Sequence, residues 1–245
     1  MTIEVGLCGF TMAQAAYARH FPVVEVQHTF YQPPAAAMLD RWRAAMPPTF
    51  EFTIKAWQLV THTGSSPTYR RLQRPLSAAE RADAGAFRET PIVEEGWRVT
   101  LECAARLRAT AILFQCPASF RPTAEHLGNV RSFFARVRRP AGVSLMLEPR
   151  GPAWTPELGR ALCDEIGAVH VVDPFVTRPV GRASDAVRYF RLHGITGFRH
   201  VYSEAELREL ARIVRASPNA RSYVMFNNIP RVADAARFVE LIAQE

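Results

Sequence analysis

Two stretches set ionisable side chains two residues apart: Glu148 and Arg150 in LEPRG, and Arg191 and His193 in FRLHG. Residues at that spacing on a strand share a face. Glu148 and Arg150 can therefore form a charge-assisted pair, either as a structural salt bridge or as a catalytic one. Arg191 beside His193 is a cationic fork next to an imidazole, suited to a phosphate or carboxylate and to proton transfer, or to a polar plug that neutralises Glu148 and Asp173. Lys55, in FTIKA, is expected to bind an anion rather than to act as an amine nucleophile, because acids nearby keep it protonated. His62 is a candidate acid or base, or a plain loop histidine. Tyr31 and Trp154 offer aromatic faces for a sugar or base, or form part of a pocket wall.

Strands are needed to hold these groups. VVEVQHTFY, Val23 to Tyr31, alternates apolar Val24 and Val26 with Glu25, Gln27, Thr29 and Tyr31, and reads as one strand with a polar front. Similar segments begin near Ile3, Phe50, Ala111, Val143, Ala168, Val187 and Ser222, and helical patterns follow most of them. One begins behind Ser203 and Glu206, another at Thr155 and Pro156. Eight strands alternating with helices predict a parallel (β/α)8 barrel, a fold that takes about 250 residues as one domain, here residues 1–245. Parity turns Val5, Leu7, Phe52, Ile54, Phe114, Leu147, Phe190 and Phe226 toward the helices. It turns Glu25, Gln27, Thr29, Lys55, Gln115, Glu148, Arg150, Asp173, Arg191, His193 and Asn227 inward, toward the C-terminal strand ends where such barrels carry their sites. Ionisable groups so placed must pair, be hydrated or meet a ligand. Between Ala56 and about Ser77 no helical pattern is expected, and this basic connection, with Arg70, Arg71 and Arg74, reads as a lid after the third strand.

Composition narrows the function classes. The 30 Lys and Arg outnumber the 23 Asp and Glu, for a net charge of +7, which favours anionic partners without separating nucleic acid from small phosphates. No apolar run approaches the ~20 residues of a membrane span, and MTIEVGLCGF opens as a strand rather than a signal sequence, so a cytoplasmic protein with no membrane partner is expected. Cys8, Cys103, Cys116 and Cys163 lack metal-site spacing and read as buried thiols. There is no Walker loop, no GxGxxG after a strand and no GxSxG elbow, which counts against nucleotide hydrolysis, dinucleotide redox and serine hydrolase chemistry. Glu25, Glu148, Asp173 and His193 would suit Mg²⁺ or Mn²⁺, but Lys55, Arg150 and Arg191 interleave with them and can replace a cation, so no cofactor is expected.

Seven segments in order resemble the YecE-like family, domain of unknown function 72: GLCGF from Gly6, VEVQHTFY from Val24, FTIKAWQLVTH from Phe52, LFQCPASF from Leu113, LEPRGPAW from Leu147, FRLHG from Phe190 and YVMFNN from Tyr223. The resemblance runs nearly end to end. It implies a TIM-barrel-like fold and supports Glu25, Thr29, Tyr31, Lys55, His62, Gln115, Glu148, Arg150, His193, Asn227 and Asn228 as site residues, without supplying a reaction. Gln27 and Phe10 stand where the family usually has Asn and Trp.

The reading that joins these observations is an enzyme acting on a small anionic or phosphorylated, polyhydroxylated substrate. Lys55, Arg150 and Arg191 would hold the anion, Glu148 and His193 would move protons, Glu25 would orient, and Gln115, Asn227 and Asn228 would bond hydroxyls. Two alternatives stay open. One is a nucleic-acid-binding or nuclease-like repair protein, with Arg70, Arg71 and Arg74 on the backbone and Tyr31 or Trp154 against a base. The other is a small-molecule sensor using the same pocket without turnover.

Overall fold

The computed structural model describes residues 2–181, 185–216 and 220–244. Eight strands, β1 (Thr2–Cys8), β2 (Val23–Val26), β3 (Glu51–Lys55), β4 (Ala111–Gln115), β5 (Ser144–Glu148), β6 (Val169–Val172), β7 (Val187–Leu192) and β8 (Arg221–Phe226), run in sequence order around a closed barrel. The pairings described are all parallel, among them β1 with β8 and β4 with β5. The helices are α1 (Gln14–Tyr17), α2 (His28–Tyr31), α3 (Ala36–Ala44), α4 (Gln58–Thr61), α5 (Ala78–Asp83), α6 (Pro91–Leu107), α7 (Ala124–Arg136), α8 (Pro156–Ile166), α9 (Glu204–Arg215) and α10 (Arg231–Gln244).

Two elements differ from the sequence expectation. The second strand ends at Val26, and the following polar alternation is a helical turn, α2, so Thr29 and Tyr31 are not strand residues. The backbone closes a turn there, with Phe30 N donating to Gln27 O at 3.2 Å and Gln32 N to His28 O at 3.1 Å, bonds that an extended strand does not make. The connection after β3 is also structured. It holds α4, a 3₁₀ turn at Pro67–Arg71 begun by Ser66 with Pro67 next to it, and α5 behind a Ser77/Glu80 capping box. The long α6 then buries Val93, Trp97, Thr100, Ala104 and Leu107, a 3- and 4-residue spacing that makes one apolar face.

Contacts along the chain divide it into two compact units, Met1–Glu25 with Met46–Glu51 and His170–Glu245, and Val26–Ala45 with Phe52–Val169. In the first, Leu7 N donates to Tyr17 Oη, which donates to Val23 O, so the short α1 clamps β1 to β2. Inward-facing Glu4, Arg221 and Tyr223, with Glu51, close the N-terminal strand ends: Arg221 pairs with both carboxylates, and Tyr223 Oη donates to Glu51 Oε2 at 2.7 Å. The second is built on aromatic packing, with Phe114 edge-on to Phe133 and Phe134 and tilted against Trp97 and Phe87. Cys8, Cys103, Cys116 and Cys163 are buried free thiols. Among the described residues no helix is long and apolar enough to cross a membrane.

Candidate functional site

In the second unit the C-terminal ends of β3, β4 and β5 lie side by side, with Lys55 in register with Leu113 and Gln115 with Glu148. Lys55 Nζ donates to Gln115 Oε1 at 3.0 Å and sits 4.0 Å from the centre of the Phe30 ring. A buried ammonium is thereby held by a neutral acceptor and an aromatic face. Two residues beyond the end of β5, Arg150 donates from Nε at 2.9 Å and Nη2 at 2.7 Å to Glu148 Oε1. Glu148 is buried, whereas the Arg150 side chain is 30% exposed, so the guanidinium forms the solvent-facing half of the pair. Gly151 makes the turn after it with φ +101°; a Cβ there would stand 2.7 Å from Ala118 O, so the loop after β5 lies against the loop after β4.

Four further predicted residues frame this arc. Thr29 Oγ1 donates to Lys55 O at 2.8 Å, tying α2 to β3, and Gln58 Nε2 donates to Tyr31 O at 2.7 Å, tying α4 to α2. His62 is buried, edge-on to Phe30, with Nδ1 2.7 Å from Thr61 Oγ1. Burial first, and then the charges of Lys55 and Arg150, push its pKa down to about 3. It is a neutral imidazole near neutral pH, able to donate or accept a hydrogen bond but not to supply a proton as an imidazolium. Trp154 is fixed by its Nε1, which donates to Phe120 O at 2.7 Å, and stacks on Phe120, itself stacked on His126. Of the lid arginines, Arg71 covers the Tyr31 ring at 4.2 Å, Arg74 pairs with Glu80 and Glu95, and Arg70 is exposed.

The remaining predicted residues belong to the first unit. Glu25 and Arg191 are fully buried and bonded twice, Nε to Oε2 at 3.0 Å and Nη2 to Oε1 at 2.8 Å, and Tyr189 Oη adds a third bond to Oε2 at 2.9 Å. Sequence reasoning missed Tyr189, although it shares the parity of Arg191 two residues on. Asp173 accepts from His193 N at 2.8 Å and from Phe175 N at 3.1 Å, so its carboxylate shapes the loop after β6. His193 is half-buried, with Nδ1 3.0 Å from Asn227 Nδ2. Asn228 is fully buried and donates to His200 O and Asp234 Oδ2, which braces the loop after β7 against α10. Among the described residues no group of three or more His, Cys, Asp or Glu side chains is placed to hold a metal ion.

Fold and strand-end polarity define the class: a TIM-barrel-like protein whose ionisable side chains cluster at C-terminal strand ends. A family model, "Protein of unknown function DUF72", matches residues 13–245, and the chain belongs to that family. It is similar to the UPF0759 protein YunF of Bacillus subtilis, 28% identical over 117 residues. That match spans 47% of this chain and 36% of the curated relative. A DUF72 family protein from Enterococcus faecalis superposes with TM-score 0.72 at 21% identity, over 99% of this chain and 94% of the other. The fold is also that of a D-psicose 3-epimerase solved in the presence of D-fructose, with TM-score 0.61 at 14% identity, over 97% of each chain.

Proposed function

We propose that this protein is an enzyme that binds a small anionic, polyhydroxylated substrate on the β3–β5 arc and performs acid–base chemistry on it. The observation that carries the reading is the Glu148–Arg150 pair, a buried carboxylate held by a guanidinium that is itself open to solvent. A substrate phosphate or carboxylate competes for Arg150 and is met by the Lys55 ammonium. Drawing the guanidinium toward the substrate removes the positive charge that keeps Glu148 ionised, so the buried carboxyl gains proton affinity as the substrate arrives. Glu148 is then the group that takes up and returns a proton. Gln115 bonds a hydroxyl, neutral His62 packs on the Phe30 ring that Lys55 also faces, and Trp154 is the fixed apolar wall. In the first unit, His193 is the corresponding proton-transfer candidate, and Glu25 and Arg191 serve as a rigid support. A barrel of this fold solved with D-fructose present is in keeping with a polyhydroxylated substrate.

The test is a panel of sugar phosphates and sugar acids followed by proton NMR for turnover, using the wild type, Glu148→Gln and His193→Ala. Conversion of one panel member, abolished in Glu148→Gln while its binding persists, is expected. Conversion undiminished in Glu148→Gln would sink the assignment.

A further inference from the structure

We propose that the loops following β6, β7 and β8 form a docking rim for a single strand of nucleic acid. Val176 is 70% exposed, Ile229 64%, Phe198 60% and Ile195 40%, on three successive strand-end loops of one unit. Apolar side chains gathered in this way mark an interaction surface. The loops are tied together: His193 N donates to Asp173 Oδ2 at 2.8 Å, the Phe175 and Tyr202 rings lie 5.6 Å apart, and Ile229 N donates to Phe198 O at 2.6 Å. The rim is therefore one platform rather than three independent tips.

Its charge selects the occupant. Arg178 and Arg199 are exposed, and among the described residues neither forms an ion pair. The segments 174–181, 194–202 and 229–232 contain no Asp or Glu; of the two acids in the loop after β6, Asp173 is buried and accepts from His193 N and Phe175 N, and Asp185 is half-buried just before β7. A second copy of the same rim would bring like charges together, which costs free energy. A partner with phosphates at one edge and flat apolar faces at the other satisfies both halves, because arginines neutralise the backbone, an aromatic ring stacks a base, and aliphatic side chains wedge against neighbouring bases. The Phe198 ring centre is 6.4 Å from that of His193, so a base on Phe198 brings its own sugar and phosphate beside the imidazole. This surface is distinct from the β3–β5 arc and stands or falls separately.

The test is fluorescence anisotropy of a labelled oligothymidylate titrated with the full chain over a range of salt, for the wild type, Phe198→Ala and the double variant Arg178→Ala with Arg199→Ala. All three sites are exposed, and matching thermal unfolding curves confirm that the variants fold. The wild type is expected to bind with an affinity that falls with salt. Phe198→Ala should weaken binding about tenfold. The double variant should reduce the slope of log affinity against log salt by about 1.4, at about 0.7 for each lost phosphate contact. Absence of binding at low salt, or binding unchanged in both variants, overturns the proposal. So does a homodimer in sedimentation that Phe198→Ala dissociates while the oligonucleotide fails to bind, since the rim then belongs to a second copy.

Discussion

Replacing Glu25 by Ala should be among the most damaging substitutions in the barrel. Its carboxylate receives two bonds from Arg191 and one from Tyr189, and both side chains of the ion pair have no solvent exposure. Arg191 Nη2 also lies 3.7 Å from Cys8 Sγ, a poor acceptor, because burial and the adjacent carboxylate of Glu25 hold that thiol protonated. Removing the carboxylate breaks a buried ion pair by deleting one of its members, which costs about 3–5 kcal/mol. In a domain of this length 1 kcal/mol moves Tm by about 2–4 °C, so a fall of about 6–20 °C is expected. Because the pair is buried, added salt should leave the difference between variant and wild type nearly unchanged. The loss arises from removing one member of a buried, hydrogen-bonded pair, so the triple variant Glu25→Met, Tyr189→Phe, Arg191→Met, which replaces the pair by apolar side chains, should recover most of it. Urea and thermal unfolding of the three proteins decide the matter. A Glu25→Ala protein within about 2 °C of wild type would refute the reasoning, as would a triple variant less stable than the single one.

Acid should weaken the fold through His62. Its folded pKa of about 3 lies below the ordinary 6.5, so the unfolded chain takes up the proton first; stability is full above about pH 6.5 and declines toward pH 3 at about 1.4 kcal/mol per pH unit. His62→Gln should flatten that part of the stability–pH curve, and an unchanged slope would show that the imidazole is not buried neutral. Gly151→Ala should cost about 1–3 kcal/mol in urea unfolding, because φ +101° and the nearby Ala118 O leave no room for a side chain; a neutral result would mean that the loop rearranges freely.

Much of this was legible in the sequence because a strand's period of two sorts side chains without knowledge of the fold. Parity brought Glu25 and Arg191 to one interior and placed Glu148, Arg150 and Lys55 at strand ends, and the strand starts lie within about one residue of those expected. The same rule applied farther toward the N-terminal ends would have found Tyr189 and the Glu4–Arg221–Tyr223 cluster. What failed was local. Gln27 to Tyr31 alternates like a strand, but five residues of alternation do not distinguish a strand from one helical turn, and the bond from Gln32 N to His28 O that closes the turn carries no signature in the sequence. The helix α6 was hidden behind a long basic connection, although Thr90 and Pro91 followed by apolar residues at helical spacing mark its start. The pairing of Arg74 with Glu80 and Glu95, and the cover of Arg71 over Tyr31, depend on tertiary placement that no short-range pattern carries.

The proposed function requires that the β3–β5 arc bind a small anion through Lys55. Its most direct test is thermal unfolding of the wild type and Lys55→Met against a panel of sugar phosphates. A ligand at a hundred times its Kd stabilises by about 2.7 kcal/mol, or about 5–11 °C here. We expect one panel member to raise Tm saturably by that order in the wild type and not in Lys55→Met. A panel without any saturable shift, or a shift that Lys55→Met retains in full, would contradict the account.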